Sequence, residues 1–121
     1  EVATWLPQDA RIAHVDYPGL ESHPGHDIAA HQQDGFGQLI SIQLSDSAAS
    51  ARNVVSRLDL FTLAQSLGGV ESLVCIPALM THASMSPEAR KEAGVPDTLI
   101  RLSVGLEGAA DMIADLDKAL G

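Results

Sequence analysis

Asp97-Thr98-Leu99-Ile100-Arg101-Leu102-Ser103-Val104 alternates with a period of two, which makes residues 99–104 a strand. Ile100, Leu102 and Val104 commit one face to a core, and Arg101 shares the opposite face with Leu99 and Ser103. A guanidinium fixed on a strand presents a rigid fork of donors suited to a carboxylate, in a bidentate geometry that a flexible lysine reproduces poorly. Arginine on a strand also serves as a plain surface cation or as half of a structural ion pair, and spacing alone leaves these roles open.

Working outward, Ala109 to Leu120 follows as an amphipathic helix with Met112, Ile113, Leu116 and Leu120 on its inner face. Upstream, Ser86-Pro87-Glu88 combines a capping hydroxyl, a proline at the first helical position and an acid at the positive helix end, and Gly94 supplies the stop. Leu60 to Ala64 and Glu71 to Ile76 read as strands around the loop Gln65-Ser66-Leu67-Gly68-Gly69, with Pro77 ending the second. Ser45-Asp46-Ser47 offers caps to a helix over 48–58 whose stripe is Ala51, Val54, Val55 and Leu58. Leu39 to Leu44 is a strand with Ile40, Ile42 and Leu44 on one face. Asp27 to Gln33 is helical until Gly35 and Gly37 break it, and Ala13, Val15 and Tyr17 alternate into a short half-buried strand. Glu1-Val2-Ala3-Thr4-Trp5 reads as the closing turns of a helix ended by Pro7, with the expectation that more chain precedes it.

Four or five strands alternating with four or five helices point to an α/β (α+β) two-layer sandwich, one sheet covered mainly on one side. The 121 residues suit one domain, 1–121, around a single core. Aromatics are only 3% of the chain, so that core is aliphatic. A net charge of -9, with seven basic residues scattered among sixteen acids, gives no basic patch for nucleic acid. The apolar runs are too short to cross a bilayer. Cys75 is the sole cysteine and has no internal disulfide partner, which suits a reducing, cytoplasmic setting.

The Gln65–Gly69 loop brings a hydroxyl and glycine-flanked N–H groups that suit either an anion site or a plain turn between strands, and without a following Gly-Lys-Ser/Thr it is not a nucleotide loop. His14, His23, His26 and His31 lack a second cysteine or a complete ligand set, so no metal site is expected. Thr81-His82-Ala83-Ser84 follows a strand, but nothing nearby makes Ser84 a nucleophile. Lys91 and Lys118 sit among acids on polar helix faces, so neither is expected to be a catalytic amine.

Leu60-Phe61-Thr62-Leu63-Ala64-Gln65-Ser66-Leu67-Gly68-Gly69-Val70-Glu71-Ser72-Leu73 resembles the Cys/Met-metabolism family of pyridoxal-phosphate enzymes. Pro77-Ala78-Leu79-Met80-Thr81-His82-Ala83-Ser84 and the run Asp97 to Glu107 look like the family's later signatures, in the same order and spacing. Tyr17-Pro18-Gly19-Leu20, His23-Pro24 and Gly35-Phe36-Gly37 extend the likeness upstream, over essentially the whole chain.

The resemblance implies the small C-terminal, substrate-binding domain of a fold-type-I enzyme of transsulfuration, cystathionine γ-lyase or γ-synthase in type. A preceding domain, absent here, would hold pyridoxal 5'-phosphate and its lysine, and the parent would be a cytoplasmic homotetramer. It further implies that Arg101 binds the α-carboxylate of a sulfur-containing amino acid, helped by Ser66, with Leu67 and Thr81 lining the pocket. No catalytic, cofactor-binding or metal residue is implied within this chain. Gln65 stands where γ-lyases and γ-synthases commonly carry glutamate, keeping the size and losing the charge. The distal substrate group therefore stays open among cysteine, homoserine ester, cystathionine and methionine, although the run through Arg101 is most like γ-lyases. The alternative is a stand-alone, non-catalytic binding or assembly module that keeps the fold.

Overall fold

The computed structural model describes the backbone of residues 1–121 and the side chains of all but Ala48 and Ala49. In chain order it contains α1 (Val2–Trp5), a 3-10 turn (Leu6–Gln8), β1 (Ile12–Asp16), α2 (His26–Gln32), β2 (Leu39–Leu44), α3 (Ala48–Arg57), β3 (Thr62–Leu63), β4 (Leu73–Cys75), α4 (Pro87–Glu92), β5 (Leu99–Ser103) and α5 (Ala109–Leu120). The strands make one mixed sheet in the order β1-β2-β5-β4-β3. Neighbours run antiparallel except β3 and β4, which are parallel.

The period of two decides which face of the sheet each side chain occupies. Ile40, Ile42, Val74, Ile100 and Leu102 are at most 3% exposed and join one apolar cluster with Ala51, Val54 and Val55 of α3 and Met112, Leu116 and Ala119 of α5. Val2, Ala3 and Leu6 close the same cluster from the N-terminal end. Full burial of each large aliphatic side chain contributes about 1.5–3 kcal/mol, so the centre of this layer dominates stability. Helices thus cover one face of the sheet, and β5 is fixed in its middle. On the other face Leu73, Cys75, Leu99 and Ser103 are also buried but stand outside that cluster.

Helix ends follow local chemistry. Ser86 Oγ accepts the Ala89 N–H at 3.2 Å at the start of α4. Past its end Gly94 adopts φ +75°, a conformation open to glycine without strain.

The structure departs from the sequence expectations in four places. In β1 a register shift between Ile12 and His14 leaves Ala13 exposed and buries Ile12, while Val15 is half-buried as expected. The strand expected over 60–64 pairs only at Thr62–Leu63, because the N–H groups of Asp59 and Leu60 are taken at 2.9 Å by the Asp115 carboxylate of α5. The strand expected over 71–76 begins at Leu73, since the Ser72 N–H donates to the Glu107 carboxylate at 2.9 Å instead of to a ladder. In α5 the inner face is completed by Asp115 and Ala119, while Ile113 and Leu120 are half-buried at its margin.

Candidate functional site

β5 carries Arg101 on the face turned away from the main core, directly opposite Ser41 of β2 and Cys75 of β4. Arg101 Nη2 lies 3.5 Å from the Gln65 carbonyl oxygen, a long contact that leaves most of the donors uncommitted. Among the described residues no carboxylate lies within 4.0 Å of this half-buried guanidinium, whereas Arg11 has two and Arg90 and Lys118 have one each. Cys75, 1% exposed, is the residue of β4 paired with Arg101. Burial pushes its thiol up, and the Arg101 charge and hydrogen bond partly offset that rise.

The Gln65–Gly69 loop passes over the same face because β3 and β4 run in one direction, so residues 64–72 must carry the chain back along the sheet. Its path follows β5. Gln65 lies by Arg101, the Gly68 N–H donates to Ser103 Oγ at 2.9 Å, and the Leu106 N–H donates to the Val70 carbonyl at 2.9 Å. Gln38 Nε2 bridges Ser103 Oγ and the Gly69 carbonyl, each at 3.3 Å. Gly68 takes φ +79°, which a β-carbon would strain.

The far end of the loop is held by Ser72 and Glu107. Ser72 Oγ donates to Glu107 at 2.8 Å and accepts the Gly105 N–H at 2.9 Å, while the Ser72 N–H donates to the same carboxylate. These bonds, the backbone N–H of Ser72 first, hold the Glu107 carboxyl below its ordinary range. A β-carbon on Gly105 would sit 2.4 Å from the Val70 carbonyl oxygen, so only glycine permits this approach.

Gln65, Ser66 and Leu67 are exposed on the loop's outer side, Leu67 at 47%. The structure thus brings Gln65 to Arg101 through its backbone carbonyl, while Ser66 and Leu67, the crown of the loop, follow it in the chain and are exposed. Thr81 is exposed in the turn after Ile76, where its Oγ1 shares a 2.7 Å hydrogen bond with His82 Nδ1. The sequence reading gave no role to Ser103, Ser72, Glu107 or Cys75. Ser103 was visible as the residue two beyond Arg101 on its face; the others depend on contacts between distant segments.

The arrangement suits anion binding. A separate apolar cavity of about 650 Å³, walled by Tyr17, Phe36, Ile40, Val104 and Met112 among others, has no lysine or arginine in its lining. The histidines have local partners: His23 Nδ1 accepts the Gly25 N–H at 3.0 Å, His26 Nδ1 lies 2.7 Å from the Pro18 carbonyl and stacks on Phe36, and His31 Nδ1 lies 2.7 Å from the Asp27 carbonyl. Lys118 Nζ pairs with Asp59 on the surface rather than with acids of its own helix, and Lys91 is exposed on α4. Neither amine is placed in a desolvated pocket, so neither fits covalent attachment of pyridoxal phosphate.

A sheet-borne arginine beside a glycine-containing loop, on a two-layer α/β unit, leaves guanidinium donors available to an anion. Residues 1–121 match the model of the Cys/Met metabolism PLP-dependent enzyme family, and the chain belongs to that family. A cystathionine β-lyase of Lactococcus lactis is 50% identical over 120 residues, covering 99% of this chain and 31% of that protein. A cystathionine γ-synthase of Mycobacterium tuberculosis is 48% identical over 120 residues, covering 99% of this chain and 30% of the synthase. The solved structure of cystathionine γ-synthase from Xanthomonas oryzae pv. oryzae in complex with cystathionine superposes with a TM-score of 0.92 at 50% identity, covering 98% of this chain and 31% of that one. The chain thus spans about 31% of the length of the relatives it matches.

Proposed function

We propose that residues 1–121 form the C-terminal, substrate-binding domain of a pyridoxal-phosphate enzyme of sulfur amino-acid metabolism, and that Arg101 binds the substrate α-carboxylate. The observation that carries this reading is a half-buried guanidinium on the central strand, without a carboxylate partner among the described residues, turned toward the Ser66 loop. A bidentate Arg–carboxylate pair fixes both position and orientation, so the amino acid is held in one pose relative to the reacting bond. Ser66 adds a hydroxyl beside the clamp, Leu67 an apolar wall, and Thr81 a further contact from the turn after β4. Gln65 offers a neutral amide toward the distal part of the substrate.

The cofactor amine belongs to a preceding domain of the full-length enzyme, where bound pyridoxal phosphate supplies the electron sink for β- or γ-elimination or γ-replacement. Exposed Leu63, Leu67, Val70, Leu79 and Leu106 give that domain, and further subunits of a cytoplasmic homotetramer, apolar surface to cover. Likeness to both a β-lyase and γ-synthases supports the family's carbon–sulfur chemistry without selecting one reaction.

The test is Arg101→Lys in the full-length enzyme. Losing a charged bidentate bond costs about 1.5–3 kcal/mol, so the substrate KM should rise about 10- to 150-fold while cofactor absorbance stays as in the parent. An unchanged KM removes Arg101 from the carboxylate site.

A further inference from the structure

The loop is fastened to the strand that carries the cation. Gln65 contacts Arg101 through its carbonyl, and the Gly68 N–H is held by Ser103, two positions further along the same face of β5. Ser103 is 2% exposed and lies beneath the loop, out of reach of any ligand seated on Ser66 or Leu67. Its hydroxyl oxygen accepts from both Gly68 N and Gln38 Nε2, which uses both acceptor positions. The Gly68 N–H has this hydroxyl as its partner, and Gly68 takes a positive φ at the same point of the loop.

We infer that Ser103 is a positioning residue for carboxylate binding: by holding the Gly68 N–H it sets the distance between the Ser66–Leu67 crown and the Arg101 guanidinium. The inference rests on the reading of Arg101 as the carboxylate site. Because Arg101 and Ser103 share one strand, the cation and the loop anchor have a fixed separation along β5. Removing the hydroxyl frees the loop relative to the cation without touching either binding group. The penalty therefore falls on substrate binding rather than on the chemical step.

The experiment uses the full-length enzyme carrying its cofactor. Ser103→Ala should raise the substrate KM about three- to tenfold, the range set by one hydrogen bond, with kcat within about twofold of the parent. Ser103→Thr, which keeps the hydroxyl, should return KM to within about twofold. In an Arg101→Lys background Ser103→Ala should add little, because the clamp it serves is already lost. Where Ser103→Ala lowers folding yield, Gln38→Ala weakens the same tether from a half-buried position and should raise KM in the same sense. A rise in KM for Arg101→Lys with none for Ser103→Ala or Gln38→Ala overturns the positioning role and leaves the carboxylate reading standing. Equal effects of Ser103→Ala and Ser103→Thr, or full additivity with Arg101→Lys, also overturn it. No effect of Arg101→Lys overturns the underlying reading instead.

Discussion

Cys75 and Arg101 face one another across β4 and β5, so a buried thiol lies against the guanidinium that heads the candidate site. Burial raises the thiol above its ordinary 9.0 more than the cation lowers it. Folded chain should therefore label with Ellman's reagent at pH 8 only as fast as it unfolds. Rapid native-state labelling would contradict this placement. Because the folded value is raised, the stabilisation linked to the protonated thiol is complete below the unfolded value and is lost as pH rises through the folded one. Cys75→Ala should remove that alkaline loss in urea titrations.

Asp115 is 7% exposed and accepts two backbone N–H groups, from Asp59 and Leu60. Asp115→Ala leaves both donors unsatisfied and should cost about 2–4 kcal/mol in urea denaturation, with Asp115→Asn intermediate. A change under about 0.5 kcal/mol would show that water replaces the carboxylate.

Glu107 is held below its ordinary 4.5 chiefly by the Ser72 backbone N–H, with its own N–H and the Ser72 hydroxyl assisting. A lowered folded value means that the linked stability is present above about 4.5 and disappears as pH falls through the folded value. Glu107→Gln should flatten this acid limb. Parent and variant curves that stay parallel from pH 6 to pH 3 would exclude the linkage.

Neither Lys91 nor Lys118 is placed to hold pyridoxal phosphate, so the 121-residue chain mixed with the cofactor should give no saturable absorbance band of a lysine adduct. A band abolished by Lys91→Ala or Lys118→Ala would refute that assignment.

What the sequence revealed tracks how local the cause is. β2, α5 and the face occupied by Arg101 were legible because apolar periodicity and a one-sided core specify them directly. The α4 start and its Gly94 stop were legible because caps act within one turn. The limits of β3 and β4 were not, since the competing acceptors Asp115 and Glu107 lie 55 and 35 residues away from the N–H groups they take. The bulge in β1 has no local marker in the chain. Arg101 could be singled out by alternation alone, but its Cys75 neighbour depends on strand order, which no single-strand pattern encodes. The Gln65–Gly69 loop stood out by its hydroxyl and glycines, whereas the pocket roles of Leu67 and Thr81 rested on family resemblance; the structure brings the Gln65 carbonyl to Arg101.

The turn that arches from Gln65 to Gly68 is moored to β5 firmly at Gly68 and through a long contact with the Arg101 side chain at Gln65, so its footing is set while its outward side chains are not. Extra residues inserted between the moorings would barely trouble folding, because doubling a surface turn changes closure entropy by only about 0.6 kcal/mol. They would nevertheless slacken the crown over the cation. Length variation and exchange at Ser66 and Leu67 thus form a route by which descendants of this scaffold can drift in selectivity while their core stays untouched.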